Sequence, residues 1–135
     1  MTSGYSGTPL AKKLSLKNGI RAWWSGMPNA VRDEIAAGGL QLQVLEAPEA
    51  PIDAAHIFVT ERADLEAKLS EVIRLLARDG LIWVSWPKKA SKVPTDITED
   101  VVRGVAQPLH LVDVKVCSID DIWSGLKLVI RKGHR

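Results

Sequence analysis

The sequence predicts a three-layer α/β fold: a mostly parallel six-stranded sheet, helices on both faces, and a last strand that runs antiparallel. Three observations lead to it. Short apolar runs alternate with stretches of helical period along the chain. The run Leu81 to Trp86 is apolar but for Ser85, the mark of a strand covered on both faces. The last two strand-like runs are joined only by Ser118 to Gly125, a link too short for a parallel crossover, so they pair antiparallel.

The elements follow in order. Residues 1–19 read as an N-terminal segment with a short helix, in which Thr8 is the N-cap and Pro9 the first helical residue. Leu10 and Leu14 then share one face, and Lys12 and Lys13 face water. Ile20 to Trp24 is the first strand, and its adjacent Trp23 and Trp24 must point to opposite faces. A helix follows Pro28 to about Ala37, with Val31 and Ile35 inward, and Gly38-Gly39 stops it. Leu40 to Leu45 is the second strand, 46–51 a proline-broken loop, and Ala54 to Val59 the third strand. From Glu61 to Arg78 the residues Leu65, Leu69, Val72, Ile73 and Leu76 make one helical stripe, closed by Asp79-Gly80. Leu81 to Trp86 is the fourth strand, and Lys88 to Pro94 a basic loop. Asp96 and Glu99 fit a capping pattern for a helix through Gln107. Leu111 to Cys117 and Leu126 to Arg131 are the closing strands.

Composition sets outer bounds. A chain of 135 residues with 46% hydrophobic and 25% charged residues is expected to form one globular domain, 1–135. It has no apolar run long enough for a membrane span and no signal-peptide pattern at Met1 to Leu10, which points to the cytoplasm. Cys117 is the one cysteine, so neither an intrachain disulfide nor a cysteine-based zinc site is expected. His56, His110 and His134 lack metal-ligand spacing, and no metal is expected. A net charge of +2 argues against nucleic acid as a partner.

Two resemblances extend this reading. The segment from Leu75 to Val84, with Asp79-Gly80 before an apolar strand, resembles the lead into the fourth strand of class I methyltransferases. That likeness implies a trimmed, Rossmann-like sheet in the order 3-2-1-4-6-5. Three blocks resemble a bacterial domain family of unknown function: Gly4 to Leu14, Trp86 to Ser91, and Val112 to Cys117 followed by Trp123 to Lys127. This second resemblance implies fold and domain extent and no chemistry.

The carboxyl ends of the first and fourth strands are the expected ligand crevice, since open α/β sheets bind ligands there. Its expected lining is Ser25, Gly26, Trp86, Lys88 and Lys89, with Tyr5 to Thr8 folded over it. The lysines suit an anionic group, and Trp86 a flat one. Glu46, 20 positions after Gly26 at the end of the second strand, could accept ribose hydroxyls. A dinucleotide-type loop needs several glycines, however. Ser25-Gly26-Met27-Pro28-Asn29 has one, Met27 adds bulk, and Pro28 removes a backbone donor. Gly4-Tyr5-Ser6-Gly7-Thr8 lacks both the glycine and the preceding strand of a nucleophile elbow. No catalytic residue and no cofactor is therefore assigned. The sequence reads as a non-catalytic Rossmann-like domain that binds a small anionic ligand or a protein partner. The alternative is a methyltransferase-like or other nucleotide-binding enzyme with a degenerate cofactor loop.

Overall fold

The computed structural model describes residues 8–135, so the segment Tyr5 to Gly7 lies outside the described residues. Helix α1 spans Leu10–Lys13, with Pro9 at its N-cap and no side-chain capping bond. Thr8 is thus not the expected cap. The chain reverses at Ser15, in the left-handed region with φ +62°, and enters β1 (Arg21–Ser25). Helix α2 (Asn29–Ala36) follows and presents Val31 and Ile35 to the sheet. Next come β2 (Gln43–Leu45), β3 (Ile52–Phe58), α3 (Arg62–Ile73) and β4 (Leu76–Pro87). After a 3-10 turn at Lys89–Ser91 come α4 (Glu99–Ala106), β5 (Leu111–Ser118) and β6 (Trp123–Ile130). Thr98 caps α4 by accepting from the Val101 amide at 3.2 Å. Asp96, expected to cap that helix, instead accepts from the Arg62 amide at 2.7 Å and satisfies the first turn of α3.

The six strands form one sheet in the order β2-β1-β3-β4-β6-β5. The first four pair in parallel, and β6 runs antiparallel to both β4 and β5. The mixed six-stranded sheet and its reversed last strand are as expected. The order 3-2-1-4-6-5 is corrected at one end: β3 lies between β1 and β4, and β2 is the edge. Burial explains it. In β3, Ile52 and every residue from Ala54 to Phe58 are buried, a pattern an edge strand cannot have. In β2, Gln43 and Val44 are exposed. The short link 46–51 can pass β1 because β2 has only three residues, so little height must be regained. Arg21 of β1 holds that link: Nε donates to the Pro51 carbonyl at 2.7 Å, and Nη2 to those of Glu49 and Ala50 at 3.3 and 3.4 Å.

The helix expected to reach Arg78 ends at Ile73, and β4 begins at Leu76. The Ile52 amide donates to the Leu75 carbonyl at 2.8 Å, drawing Leu75 and Leu76 into the sheet. Leu76 still packs on the same core as Leu69 and Val72, so helical periodicity could not mark the end. Between the pairs Ile52–Leu76 and Ala54–Leu81 the register shifts, and extra residues of β4 bulge out. Gly80 sits in that bulge. A Cβ there would lie 2.8 Å from Leu76 Cδ1 and 3.0 Å from the Ala77 and Ile52 carbonyl oxygens. It permits a close strand approach rather than ending a helix.

Each face of the sheet carries its own core. On one, Leu65, Leu69 and Val72 of α3 and Val102, Val105 and Ala106 of α4 cover Trp23, Ile57, Ile82, Val84 and Trp86. On the other, Leu10 and Ala11 of α1, Leu14 at its C-cap, and Val31 and Ile35 of α2 cover Ala54, Phe58 and Trp83. The expected opposite facing of Trp23 and Trp24, and of Trp83 and Trp86, is observed. No helix among the described residues is long and apolar enough to cross a membrane.

Candidate functional site

All six expected site residues stand along the carboxyl edge of the sheet, but they do not converge. Across that edge the order is Glu46 after β2, Ser25-Gly26 at the end of β1, Val59-Thr60 after β3, and Trp86 with Lys88 and Lys89 at the end of β4. The interposed β3 separates the β1 loop from the β4 lysines. Helices α2 and α3 leave β1 and β3 on opposite faces, which makes the gap between those strands the switch point where a crevice belongs. The crevice expected between β1 and the Trp86 strand is moved there accordingly.

That gap is tightly built. Gly26 has φ +66°, and a Cβ on it would meet the Phe58 carbonyl oxygen at 3.1 Å. Only glycine lets the loop lie this close to β3. Met27 is 7% exposed and packs with Val31, Ile35 and Phe58. Its bulk goes into the core beneath α2 rather than into the crevice, contrary to expectation. Phe58 meets Trp123 edge-on at 5.1 Å. Trp86 is buried on the α3/α4 face among Trp23, Val59 and Ile97. Its ring is core rather than the exposed floor of a pocket. Lys88 turns the other way. Its Nζ donates to Ser118 Oγ at 2.6 Å, beside Lys13 of α1, whose Nζ donates to the Ser118 carbonyl at 3.2 Å. Lys89 and Glu46 are exposed.

The site reading missed His56. It is 1% exposed in the middle of β3. Its ring stacks on Phe58 at 4.4 Å and lies 6.4 Å from Trp24 and 6.3 Å from Trp83. Nε2 lies 2.7 Å from Ser85 Oγ, while Nδ1 has no partner among the described residues. An N–H buried without an acceptor costs more than a bare lone pair, so Nε2 carries the proton and donates to Ser85. Burial pushes the His56 pKa down to about 3; the ring is neutral near pH 7 and fit for packing, not for proton transfer. A signal existed: His56 and Ser85 are the polar interruptions of two neighbouring buried runs, and such residues must find each other. Among the described residues no three His, Cys, Asp or Glu side chains are grouped to hold a metal.

Four cavities lined by described residues lie away from the carboxyl edge. The largest of these, about 480 Å³, runs between α1 and the end of α2 and includes Ala11, Lys12, Ser15, Leu16 and Leu40. A second, about 360 Å³, opens at the amino edge beside Lys17, Asp53 and Asp79.

No family model matches the sequence, and no curated protein matches it. Solved structures do resemble the fold. A protein from Sulfolobus solfataricus assigned to the type 11 methyltransferases superposes with a TM-score of 0.65 at 17% identity, over 93% of each chain. A TehB-like SAM-dependent methyltransferase from Corynebacterium glutamicum gives 0.57 at 12% identity, over 95% of this chain and 90% of its own. The magnesium protoporphyrin IX methyltransferase of Synechocystis, solved with bound SAM, gives 0.56 at 12% identity, over 90% and 74%. The likeness at these identities is one of architecture: the chain has a methyltransferase-like α/β fold.

Proposed function

We propose that the chain is a binding domain on this methyltransferase-like fold, taking a small anionic ligand or a protein partner, and that it does not transfer methyl groups. The observation that supports it is the packing of the switch point. Gly26 lies against the Phe58 backbone, and Met27, Phe58 and Trp86 fill the space on the two faces of the sheet. No described residue there is poised as a base: the buried His56 is held neutral and faces Ser85 and aromatic rings. Lys89, exposed in the turn after β4 and in no ion pair among the described residues, offers a cation at that edge for an anionic group.

The second reading, a nucleotide-binding methyltransferase, draws on two features. Gly26 keeps the left-handed turn after β1, and Glu46 stands exposed at the end of β2, where a carboxylate can accept ribose hydroxyls. Titration calorimetry with S-adenosylmethionine separates the readings. The binding-domain reading expects no heat beyond dilution up to about 1 mM cofactor. A micromolar dissociation constant that Glu46→Gln weakens at least about tenfold, worth roughly 1.4 kcal/mol, establishes the second reading instead.

A further inference from the structure

Five of the ten lysines of this chain are gathered in one row by the tertiary structure. The bulge in β5 is the first cause. Asp113 pairs with Leu128 and Lys115 with Lys127, so one residue, Val114, is extra. The extra residue turns the strand over. Asp113 faces α4, where it accepts from Arg103 Nε at 3.1 Å. Lys115 faces α1 beside Lys127. The result is two like charges directly opposite each other in a cross-strand pair, an arrangement that destabilises a sheet.

Other lysines continue the row. Lys127 Nζ donates to Ser15 Oγ at 3.0 Å, and Lys115 Nζ to the Lys13 carbonyl at 3.4 Å. Lys13 and Lys88 both reach Ser118, through its carbonyl and its hydroxyl. Lys17 is close enough to Lys127 to help lower its pKa, after desolvation and along with Lys115. The acceptors in this row are hydroxyls and backbone carbonyls. Among the described residues none of these five lysines makes an ion pair. Of the nearby carboxylates, Asp120 accepts from the Ile122 and Trp123 amides and Asp53 from the Arg21 amide, while Asp79 borders the amino-edge cavity with Lys17. A chain of small net charge thus carries a local row of five lysines.

We propose that this face, formed by α1, its turn and the β5–β6 pair, binds the phosphodiester backbone of a nucleic acid. The row is longer than one phosphate. From Ser118, where Lys88 is bonded, to Lys115 it follows three residues of strand, about 10 Å. Lysine point charges and serine hydroxyls suit phosphate oxygens, and the row has no arginine fork to read a base edge. A polyanion also offsets the repulsion that Lys115 and Lys127 impose on each other.

The test is fluorescence anisotropy with a labelled DNA duplex of about 20 base pairs, starting from about 50 mM salt. The expected result is binding whose logarithmic salt dependence has a slope of about −4, from five lysine contacts at most. The triple variant Lys17→Gln/Lys115→Gln/Lys127→Gln should fold, lose at least about tenfold in affinity, and flatten the slope by about three. If the triple variant does not fold, the exposed Lys115→Gln alone should flatten it by about one. No binding at low salt overturns the proposal, as does an unchanged slope in the variants. It is also overturned if Arg131→Gln/Lys132→Gln in the basic tail removes the binding, or if poly-glutamate competes as well as unlabelled duplex, which would assign the face to an acidic polypeptide. These outcomes are independent of S-adenosylmethionine binding, so this proposal and the one for the carboxyl edge can fail separately.

Discussion

The two faces of the sheet are built on different terms. Under α3 and α4 the core is aliphatic with two tryptophans, Trp23 and Trp86, and its rim is tied by one four-membered ion cluster in which Arg103 joins Glu99, Asp100 and Asp113. Under α1 and α2 the core is Phe58, Trp83, Cys117 and aliphatic side chains around a buried histidine, and its rim is a row of lysines without an ion pair among the described residues. Trp83 ties the second face together: its indole N–H donates to the Leu14 carbonyl at 2.9 Å and so anchors α1 to β4. Among the described residues, the first face buries no side-chain N or O atom without a partner. Among the described residues the second departs from the rules of stable packing twice, with an Nδ1 left without a partner and a like-charge pair. Natural chains keep such departures where something other than stability is served. The α1/α2 face is the one to probe.

The comparison can be broken most forcefully at Trp83. Trp83→Ala empties a site that is 1% exposed and cuts the bond to Leu14. It should cost about 3–5 kcal/mol in urea unfolding. Ile82→Ala, next in the strand but on the aliphatic face, should cost about 2–5 kcal/mol and leave α1 docked. If hydrogen exchange shows α1 equally protected in both variants, the indole is not the anchor.

Acid titration sharpens the contrast. The His56 pKa is lowered by burial from its ordinary 6.5 to about 3 in the folded state. Below pH 6.5 the unfolded chain takes up a proton that the folded chain refuses. The contribution of neutral His56 is therefore complete above pH 6.5 and is lost as the pH falls toward 3, at up to about 1.4 kcal/mol per pH unit. Urea unfolding across that window should show the slope, and His56→Leu should remove its share. A slope unchanged by the substitution would place the acid sensitivity elsewhere.

Two glycines give effects of opposite sign. Gly26→Ala forces a side chain into φ +66° and against the Phe58 carbonyl, and should destabilise by about 1–2 kcal/mol. Gly104→Ala, within α4 with nothing inside 4 Å of the new Cβ, should stabilise by about 0.5–1 kcal/mol. Melting temperatures moving the same way in both would contradict the close packing assigned to the β1 loop. The smallest effect belongs to Lys115→Glu. It converts the cross-strand repulsion with Lys127 into attraction and should raise stability by roughly 0.2–1 kcal/mol at low salt, fading as salt is added.

Much of the architecture was legible because it depends on local pattern. Trp23 and Trp24 had to face opposite ways in a strand, Ser118 to Gly125 could only close a hairpin, and Leu65, Leu69 and Val72 could only line one helix face. Strand order was not local. The polar Gln43 and the run Ala54 to Val59, apolar but for His56, already distinguished an edge from a centre, but the short link 46–51 gave no hint that it passes β1 under the grip of Arg21. The end of α3 escaped because Leu76 reaches the same core from a strand as it would from a helix.

The candidate sites divide along the same line. Ser25, Gly26, Glu46, Trp86, Lys88 and Lys89 were found from the rule that strand ends make crevices, and that rule located them on one edge. Whether the edge is open depends on which way Met27, Phe58 and Trp86 turn, and that is decided by packing against helices distant in sequence. The histidine–serine pair joins positions 29 apart, and the Ser15–Lys127 contact joins positions 112 apart. Periodicity along a chain determines which faces are apolar, and so fixes the kind of fold. Contacts between remote residues have no period, so the packed gap between β1 and β3, the neutral His56 and the row of lysines exist only once the sheet has brought its strands together.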